Sequence, residues 1–200
     1  MRRKTFDALM ATGGLVTAVI LAIAGGLLLW GHNFINTNIH DQLAAQQIYF
    51  PSASDIKAAN NAEITKYVTP YAGQQVTTGE QAGVYANHYI AVHLQEIGQG
   101  QTYSQISGKF ITMDPKSKDY AAVAAQRQAL FMGETLRGLL LNAYAFGMMA
   151  TIAGIAAVIS FIAAFVMLVL SLLGFRHLRQ TAEETEVLPK LVGAPHPATA

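Results

Sequence analysis

The residues of this chain that are best suited to chemistry are two histidines and a glutamate in segment 88–96, which reads HYIAVHLQE. If the segment is helical, the five steps from His88 to His93 turn the chain by about 500°, so the two side chains point about 140° apart. They therefore cannot share one metal ion. His93 and Glu96 are only about 60° apart on the same helix, and His40 could supply a third ligand. Two histidines and one carboxylate are the ligand set of non-haem iron oxygenases.

The alternative interpretation of His93 needs no metal. On the predicted helix it shares a face with Tyr89 and Ile97, so a half-buried imidazole hydrogen-bonded to a neighbouring helix explains it better than a metal site does. The chain has no HxxxH or HExxH spacing, the spacings typical of zinc sites. Glycine-rich phosphate loops, nucleophile elbows and paired catalytic carboxylates are also missing from the sequence. We therefore expect no metal ion, no cofactor and no catalytic residue, and hence no enzyme activity.

Composition excludes further classes of function. The net charge is +1 and the chain contains no cysteine, which excludes disulfides, thiolate metal sites and cysteine nucleophiles. Lysine and arginine are scattered, whereas binding of nucleic acid needs a basic patch or stripe. Apolar residues are concentrated towards the two ends, and the roughly one hundred residues between them are enough for one small domain. We therefore expect no nucleic-acid partner.

The longest apolar stretch is segment 138–175, which contains no aspartate, glutamate, lysine, arginine or histidine. As a helix it would be ~57 Å long, against the ~30 Å hydrocarbon core of a bilayer. It is too long for one membrane span, and it is too short for two because no turn signal interrupts its middle. We predict an interfacial helix over residues 138–147 and a transmembrane helix over residues 148–175.

A second apolar stretch, residues 8–31, follows the basic start MRRK. Its length of about 24 residues exceeds the ~7–15 of a secretory signal's apolar core, and no cleavage site follows it promptly. We therefore predict an uncleaved anchor, a transmembrane helix over residues 8–31. Side chains with an apolar body and a polar end suit the outer membrane interface, and we assign this anchoring role to Trp30, Arg137, Asn142 and Tyr144.

The basic residues that flank the two spans predict the orientation. The first span follows Arg2, Arg3 and Lys4, and the second is followed by Arg176 and Arg179. Because cytoplasmic flanks carry the excess of positive charge, we predict a multi-pass protein of the cytoplasmic membrane. Its cytoplasmic parts are residues 1–7 and 176–200, and its extracytoplasmic part is residues 32–137. The tail is acidic, then rich in proline and alanine, so we expect it to be disordered and too short for a signalling domain.

The segment between the spans is predicted to be a small helical domain, because it has few β-branched residues and no alternating apolar run. Residues 108–113 could instead form a short strand. The first membrane helix is expected to continue outward until Phe50 and Pro51, and another helix is expected to run from about Ser117 into the second membrane segment. The predicted fold is all-α, with two transmembrane helices flanking a small helical extracytoplasmic domain.

Cap patterns predict where the helices of this domain begin. Each pattern places a hydroxyl or carboxyl group ahead of an acid, an amide or a proline: Ser52 with Asp55, Thr77 with Glu80, Thr102 with Gln105, and Asp114 before Pro115. The first of these helices would carry a mostly apolar stripe over residues 56–68. The second would place Ala82, Ala86, Tyr89, His93 and Ile97 on one face, and it would end at Gly98 and Gly100.

Small residues recur in both predicted spans. Helices in a bilayer associate chiefly where small side chains let their backbones approach. In the first span the predicted packing residues are Gly14, Ala18, Ala22 and Gly26, and in the second they are Ala153, Ala156, Ala157, Ser160 and Ala164. The two stripes could pack against each other within one chain or against another subunit. No ionisable residue lies in either span, although pumps and proton relays need one at membrane depth, so we do not expect this chain to transport solutes on its own.

Four segments resemble a family of small bacterial two-span membrane proteins of uncharacterised activity. They are residues 29–35 (LWGHNFI), 88–94 (HYIAVHL), 102–105 (TYSQ) and 133–146 (GETLRGLLLNAYAF). The resemblance covers most of the chain except the last twenty residues. Members of the family sometimes carry the label of aromatic ring-opening dioxygenase, which implies Fe(II), a histidine-rich ligand set and an enclosed pocket for the ring. The resemblance implies no catalytic residue in this chain.

These features lead to three functional hypotheses. The first is a structural or accessory protein that spans the bilayer as a subunit or scaffold of a larger membrane assembly, with a membrane-protein partner or further copies of itself. The second is an extracytoplasmic binding module for a small ligand or an envelope lipid. The third is the non-haem iron ring-opening dioxygenase, which the residues support least.

Overall fold

The computed structural model describes residues 3–180, and over this range it confirms the predicted all-α fold. Seven α-helices cover most of it: α1 (Arg3–Gln46), α2 (Ala53–Ala59), α3 (Ala62–Val68), α4 (Gly79–Val84), α5 (Ala91–Gly98), α6 (Tyr103–Ile111) and α7 (Tyr120–Gln180). A 3₁₀ turn at Thr69–Tyr71 follows α3, and a π-helical segment at Tyr85–Ile90 joins α4 to α5. The predicted features of residues 1–2 and 181–200, including most of the tail, lie outside the described residues.

Two helices dominate the structure. Both α1, with 44 residues, and α7, with 61, are long and apolar enough to cross a membrane. As predicted, α1 continues well beyond its apolar run, and α7 begins before the second apolar stretch and runs through it without a break. The helix therefore has no boundary between residues 138–147 and 148–175, and the division into an interfacial and a spanning part stays a prediction.

The described chain divides into two compact units. The first takes the residues up to Leu29 and from Ile155 onward, and the second is Trp30–Gly154. The second unit contains α2 to α6 and has a core of buried aliphatic and aromatic side chains from every one of its helices. Its most deeply buried large side chains are Ile64, Val68, Val76, Ile106 and Leu130.

Two of the predicted caps are present as capping boxes. The Ser52 side chain accepts from the Asp55 amide while the Asp55 carboxylate accepts from the Ser52 amide, and Thr102 with Gln105 repeats this arrangement. The third predicted box is wrong by one residue, because the N-cap of α4 is Thr78 and its partner is Gln81. Glu80 instead accepts a hydrogen bond of 2.9 Å from the Tyr71 hydroxyl.

Three other local predictions need correction. The stripe over residues 56–68 is two helices, because Asn60 adopts a left-handed conformation (φ 47°) and Asn61 caps α3. Segment 108–113 is no strand, since α6 extends to Ile111. Asp114 and Pro115 cap a turn rather than a helix: the Asp114 carboxylate accepts from the Lys116 amide, and α7 begins only at Tyr120.

The π-helical segment changes which face of the α4–α5 helix is buried. A π turn inserts one residue into the α-helical repeat and so rotates every later side chain. The predicted face contained Tyr89, His93 and Ile97, but Ile97 is 41% exposed. The buried positions after the insertion lie one residue further along the chain, at Ile90, Leu94 and Gly98.

Candidate functional site

The apolar halves of α1 and α7 pack against each other in the first unit. A Cβ added at Gly14 would contact the Ser171 hydroxyl, and one added at Gly25 would lie 3.1 Å from the Phe161 ring. Ala11 lies against Gly174. Because residue numbers rise along one helix as they fall along the other, the pair is antiparallel, and we call this contact the small-residue seam.

The small-residue seam includes only part of the predicted stripe in α1. Ala18 is 5% exposed and Gly14 is in close contact, whereas Ala22 is exposed and a Cβ added at Gly26 would meet nothing within 4 Å. A strict four-residue spacing drifts by about 40° per step on a helix of 3.6 residues per turn. The next inward-facing small residue after Ala18 is therefore Gly25, and not Ala22 or Gly26. The four-residue pattern did not predict Gly25.

The predicted small residues of α7 lie on or beside the packed face. Ala157 is 1% and Ala164 7% exposed, while Ala153, Ala156 and Ser160 are half-buried. Ser171, which is 3% exposed and donates to the Met167 carbonyl at 2.7 Å, was not foreseen. The signal that could have found the missed positions is a seven-residue repeat, typical of paired helices: Ala11, Ala18 and Gly25 in α1, and Ala150, Ala157, Ala164 and Ser171 in α7.

Within the second unit His32 links the two long helices. Its Nδ1 lies 2.7 Å from the Ala150 carbonyl oxygen, and the imidazole packs over Gly154, where an added Cβ would lie 2.8 Å from that nitrogen. Because a carbonyl oxygen can only accept, the imidazole donates this hydrogen bond from Nδ1. His32 is therefore a structural hydrogen-bond donor between α1 and α7.

The histidines of segment 88–96 have separate partners. His88 Nδ1 lies 2.7 Å from the Glu63 carboxylate, and the imidazole stacks on Tyr67 with ring centroids 3.8 Å apart. His93 Nδ1 lies 2.8 Å from the carbonyl oxygen of Tyr89, in the π-helical segment that precedes α5. Residues 3–180 contain no group of three histidine, aspartate or glutamate side chains that could hold a metal ion. The ligand set of His93, Glu96 and His40 is thus not brought together.

Two tyrosines near the 3₁₀ turn and the π-helical segment have altered acidity. Burial, and then the neighbouring Tyr89, raise the pKa of Tyr85 to about 12. Burial also raises the pKa of Tyr71, and its hydrogen bond to Glu80 adds to the effect. Both phenols pack around Phe50, whose ring centroid lies 5.2 Å from that of Tyr71 and 5.3 Å from that of Tyr85. These rings serve the packing of the domain.

The raised pKa of Tyr85 predicts a loss of stability at alkaline pH. Below about pH 10 the phenol is protonated in both the folded and the unfolded chain. As the pH rises from there towards 12, the unfolded chain loses the proton while the folded chain keeps it, so the free energy of unfolding falls. We expect melting temperatures of Tyr85→Phe to fall less over this range than those of the wild type. Tyr49→Phe, at an exposed tyrosine, is the matched control, and equal slopes for all three proteins would contradict the assignment.

The predicted interface anchors have different surroundings. Trp30 is 66% exposed and stacks on Phe34 with ring centroids 5.4 Å apart. Arg137 donates to Glu134 at 3.4 Å and to Asn87 at 3.3 Å. Tyr144 packs against Gly83 of α4, where an added Cβ would lie 2.7 Å from its ring. Asn142 lines the groove described next.

A groove of about 520 Å³ lies in the second unit, between residues 34–48 and segment 136–146 of α7. Its apolar lining is buried at the floor and exposed along the rim, and four carboxamides lie along its edge, so we call it the amide-edged groove. The floor includes Ile39, Leu43 and Leu140, the rim includes Phe34, Leu136, Leu139 and Phe146, and the carboxamides are Asn38, Gln42, Gln46 and Asn142. Ligand sites typically have volumes of about 300–1,000 Å³ and apolar walls with a few polar groups.

Comparison of the chain with protein-family models, with curated proteins and with solved structures finds no match. The features that bear on function are therefore the small-residue seam, the amide-edged groove and the apolar surfaces of α1 and α7.

Proposed function

We propose that this chain is a structural or accessory subunit of a larger assembly in the cytoplasmic membrane. In this proposal α1 and α7 cross the bilayer, both termini are cytoplasmic, and residues 32–137 lie outside. The basic residues that flank the two apolar stretches support the orientation. Residues 8–31 and 138–175 contain no aspartate, glutamate, lysine, arginine or histidine, which supports a role other than transport.

The observation that carries the proposal is the narrowness of the small-residue seam. Among residues 3–180, only one face of each long helix is packed in the first unit. Large apolar side chains cover the other faces: Ile23 is 59%, Leu27 65% and Phe165 66% exposed. Gly26 lies open on α1 outside the packed face. Because small residues are what let a further helix approach in lipid, Gly26 suits contact with a partner helix.

The test is to purify the full chain from its native membrane in a mild detergent and to measure the mass of the particle that contains it. We expect a particle larger than one chain, and we expect Gly26→Leu to reduce it towards the monomer while the melting temperature stays within a few degrees. A wild-type protein that is always a lone monomer would contradict the accessory role. An unchanged particle in Gly26→Leu would place the partner on another face of the helices.

The amide-edged groove favours a second candidate function. Its volume and its lining of apolar groups with a few neutral polar ones suit an extracytoplasmic binding module for a small ligand or an envelope lipid. A ligand that binds only the folded protein raises its melting temperature. Screening the purified chain against lipids and small apolar molecules for such a shift tests this function, and no shift with any of them would argue against it.

A further inference from the structure

The amide-edged groove has a surface that suits one chemical class of occupant. Its floor and rim are aliphatic and aromatic, and the rim is left uncovered: Leu139 is 62%, Phe34 54% and Phe146 54% exposed. Apolar surface gains roughly 25 cal/mol for each Å² removed from water. A ligand with a long apolar part would therefore gain most from lying along this groove.

The polar edge of the groove is neutral. Asn38 and Gln42 form a carboxamide pair, in which Gln42 Nε2 donates to Asn38 Oδ1 at 2.8 Å. None of the lining residues, all of which lie in the described part of the chain, is ionisable. Carboxamides both donate and accept hydrogen bonds, so they suit ester and hydroxyl oxygens and provide no charge to select an ionic ligand.

The groove also continues from the surfaces that are expected to face lipid. Its lining begins at Phe34 of α1, within one helical turn of the predicted span 8–31, and includes Phe146 of α7, two residues before the predicted span 148–175. Trp30, which stacks on Phe34, has the exposure and the amphipathic ring typical of a membrane interface. The groove is therefore expected to open where acyl chains and headgroups meet.

We infer that the amide-edged groove binds one acyl chain of a membrane phospholipid, with the ester region of that lipid against the Asn38–Gln42 pair. The inference rests on the proposed membrane placement of α1 and α7. A thin acyl chain covers the floor and leaves the carboxamides in contact with ester oxygens and water. A helix from a second copy would cover the same carboxamides with apolar groups, at the cost of burying unpaired polar groups.

The experiment uses Trp30, which is the only tryptophan of the chain, as the reporter. A lysophosphatidylcholine with bromine atoms in its acyl chain is titrated into the purified full chain in a mild bromine-free detergent, because bromine quenches tryptophan at short range. We expect quenching of the wild type to be saturable. Leu139→Asp places a charge on the exposed rim and should raise the half-saturating concentration at least tenfold. Met132→Asp, one heptad earlier on α7, is the matched control, since Met132 is 58% exposed but does not line the groove.

A second variant tests the inference independently of the introduced charge. Ala143→Phe narrows the groove from its wall and should also remove saturable quenching, whereas Ala145→Phe, at an exposed position of the same helix outside the groove, should keep it. Circular dichroism of each variant shows whether it is folded. Equal quenching curves for the groove variants and their controls, or quenching that never saturates, would overturn the inference.

The same samples separate this inference from the accessory role. Loss of particle mass in Leu139→Asp without any effect on quenching would show that a second copy occupies the groove, and would overturn lipid binding. Absence of saturable quenching in a particle that keeps its mass would also overturn it, but would leave the accessory role standing. A lone monomer that still shows saturable quenching would contradict the accessory role and support the lipid site.

Discussion

Replacing Gly79 by alanine is expected to destabilise the second unit by about 3 kcal/mol or more, at the upper end of the range for overpacking. Gly79 begins α4 and is buried against α7, where an added Cβ would lie 2.9 Å from the Ala143 carbonyl oxygen and 3.0 Å from the Gly147 Cα. Both neighbours are backbone atoms, so no side chain can rotate away and the helices must separate. The measurement is the melting temperature of the full chain in detergent, followed by circular dichroism.

Gly108→Ala is the matched control for this substitution. Gly108 lies within α6, is exposed, and a Cβ added there would meet nothing within 4 Å. In an exposed helix interior, alanine raises the free energy of unfolding by about 1 kcal/mol relative to glycine. The Gly→Ala substitution should therefore stabilise the protein at position 108 and destabilise it at position 79. Equal melting temperatures for Gly79→Ala and the wild type would show that α4 does not contact α7 in the way described.

Replacing Gly14 by leucine is expected to give the second large effect, by separating α1 from α7 in the first unit. Its added Cβ would contact Ser171, which is buried and bonded to the Met167 carbonyl, and the rest of the leucine side chain has no space in the small-residue seam. Overpacking of this kind lowers the free energy of unfolding by about 1–3 kcal/mol. We expect a lower melting temperature of the full chain in detergent.

The neighbouring glycine is the control for the small-residue seam. Gly13 has the same apolar surroundings in sequence, but a Cβ added to it would meet nothing within 4 Å. Gly13→Leu should therefore keep the wild-type melting temperature, since its side chain points away from the packed face. If both leucine variants melted alike, the two helices would not pack through the face that contains Gly14.

The sequence was sufficient to predict the elements that depend on local patterns. The apolar runs of α1 and α7 are longer than the apolar run of a short buried helix. The cap residues Ser52 and Thr102 accept hydrogen bonds from amides three residues away. Such signals involve neighbours in sequence, so they require no knowledge of the tertiary structure. The shift of the third cap from Thr77 to Thr78 shows the limit, because two adjacent threonines have the same capacity to cap.

The π-helical segment at Tyr85–Ile90 could not be predicted, because its residues have no distinctive local preference and the inserted residue is tolerated only in the packed domain. It determines which residues are buried beyond it, because the buried positions after it are Ile90, Leu94 and Gly98 instead of the predicted Tyr89, His93 and Ile97. The amide-edged groove could not be predicted either, since its two walls, residues 34–48 and 136–146, are far apart in sequence. In α1 the predicted four-residue spacing and the seven-residue repeat share Ala18, but the first continues to Ala22 and Gly26, which are exposed, and the second continues to Gly25, which is buried.

The proposed orientation places residues 32–137 outside the cytoplasmic membrane and both ends of the chain inside. The chain has no cysteine of its own, so single cysteines at two exposed positions, Lys116→Cys and Gln180→Cys, report each side separately. With a membrane-impermeant maleimide on intact spheroplasts, we expect labelling of Lys116→Cys at once and of Gln180→Cys only after the membrane is permeabilised. Labelling of both cysteines under the same condition would contradict it.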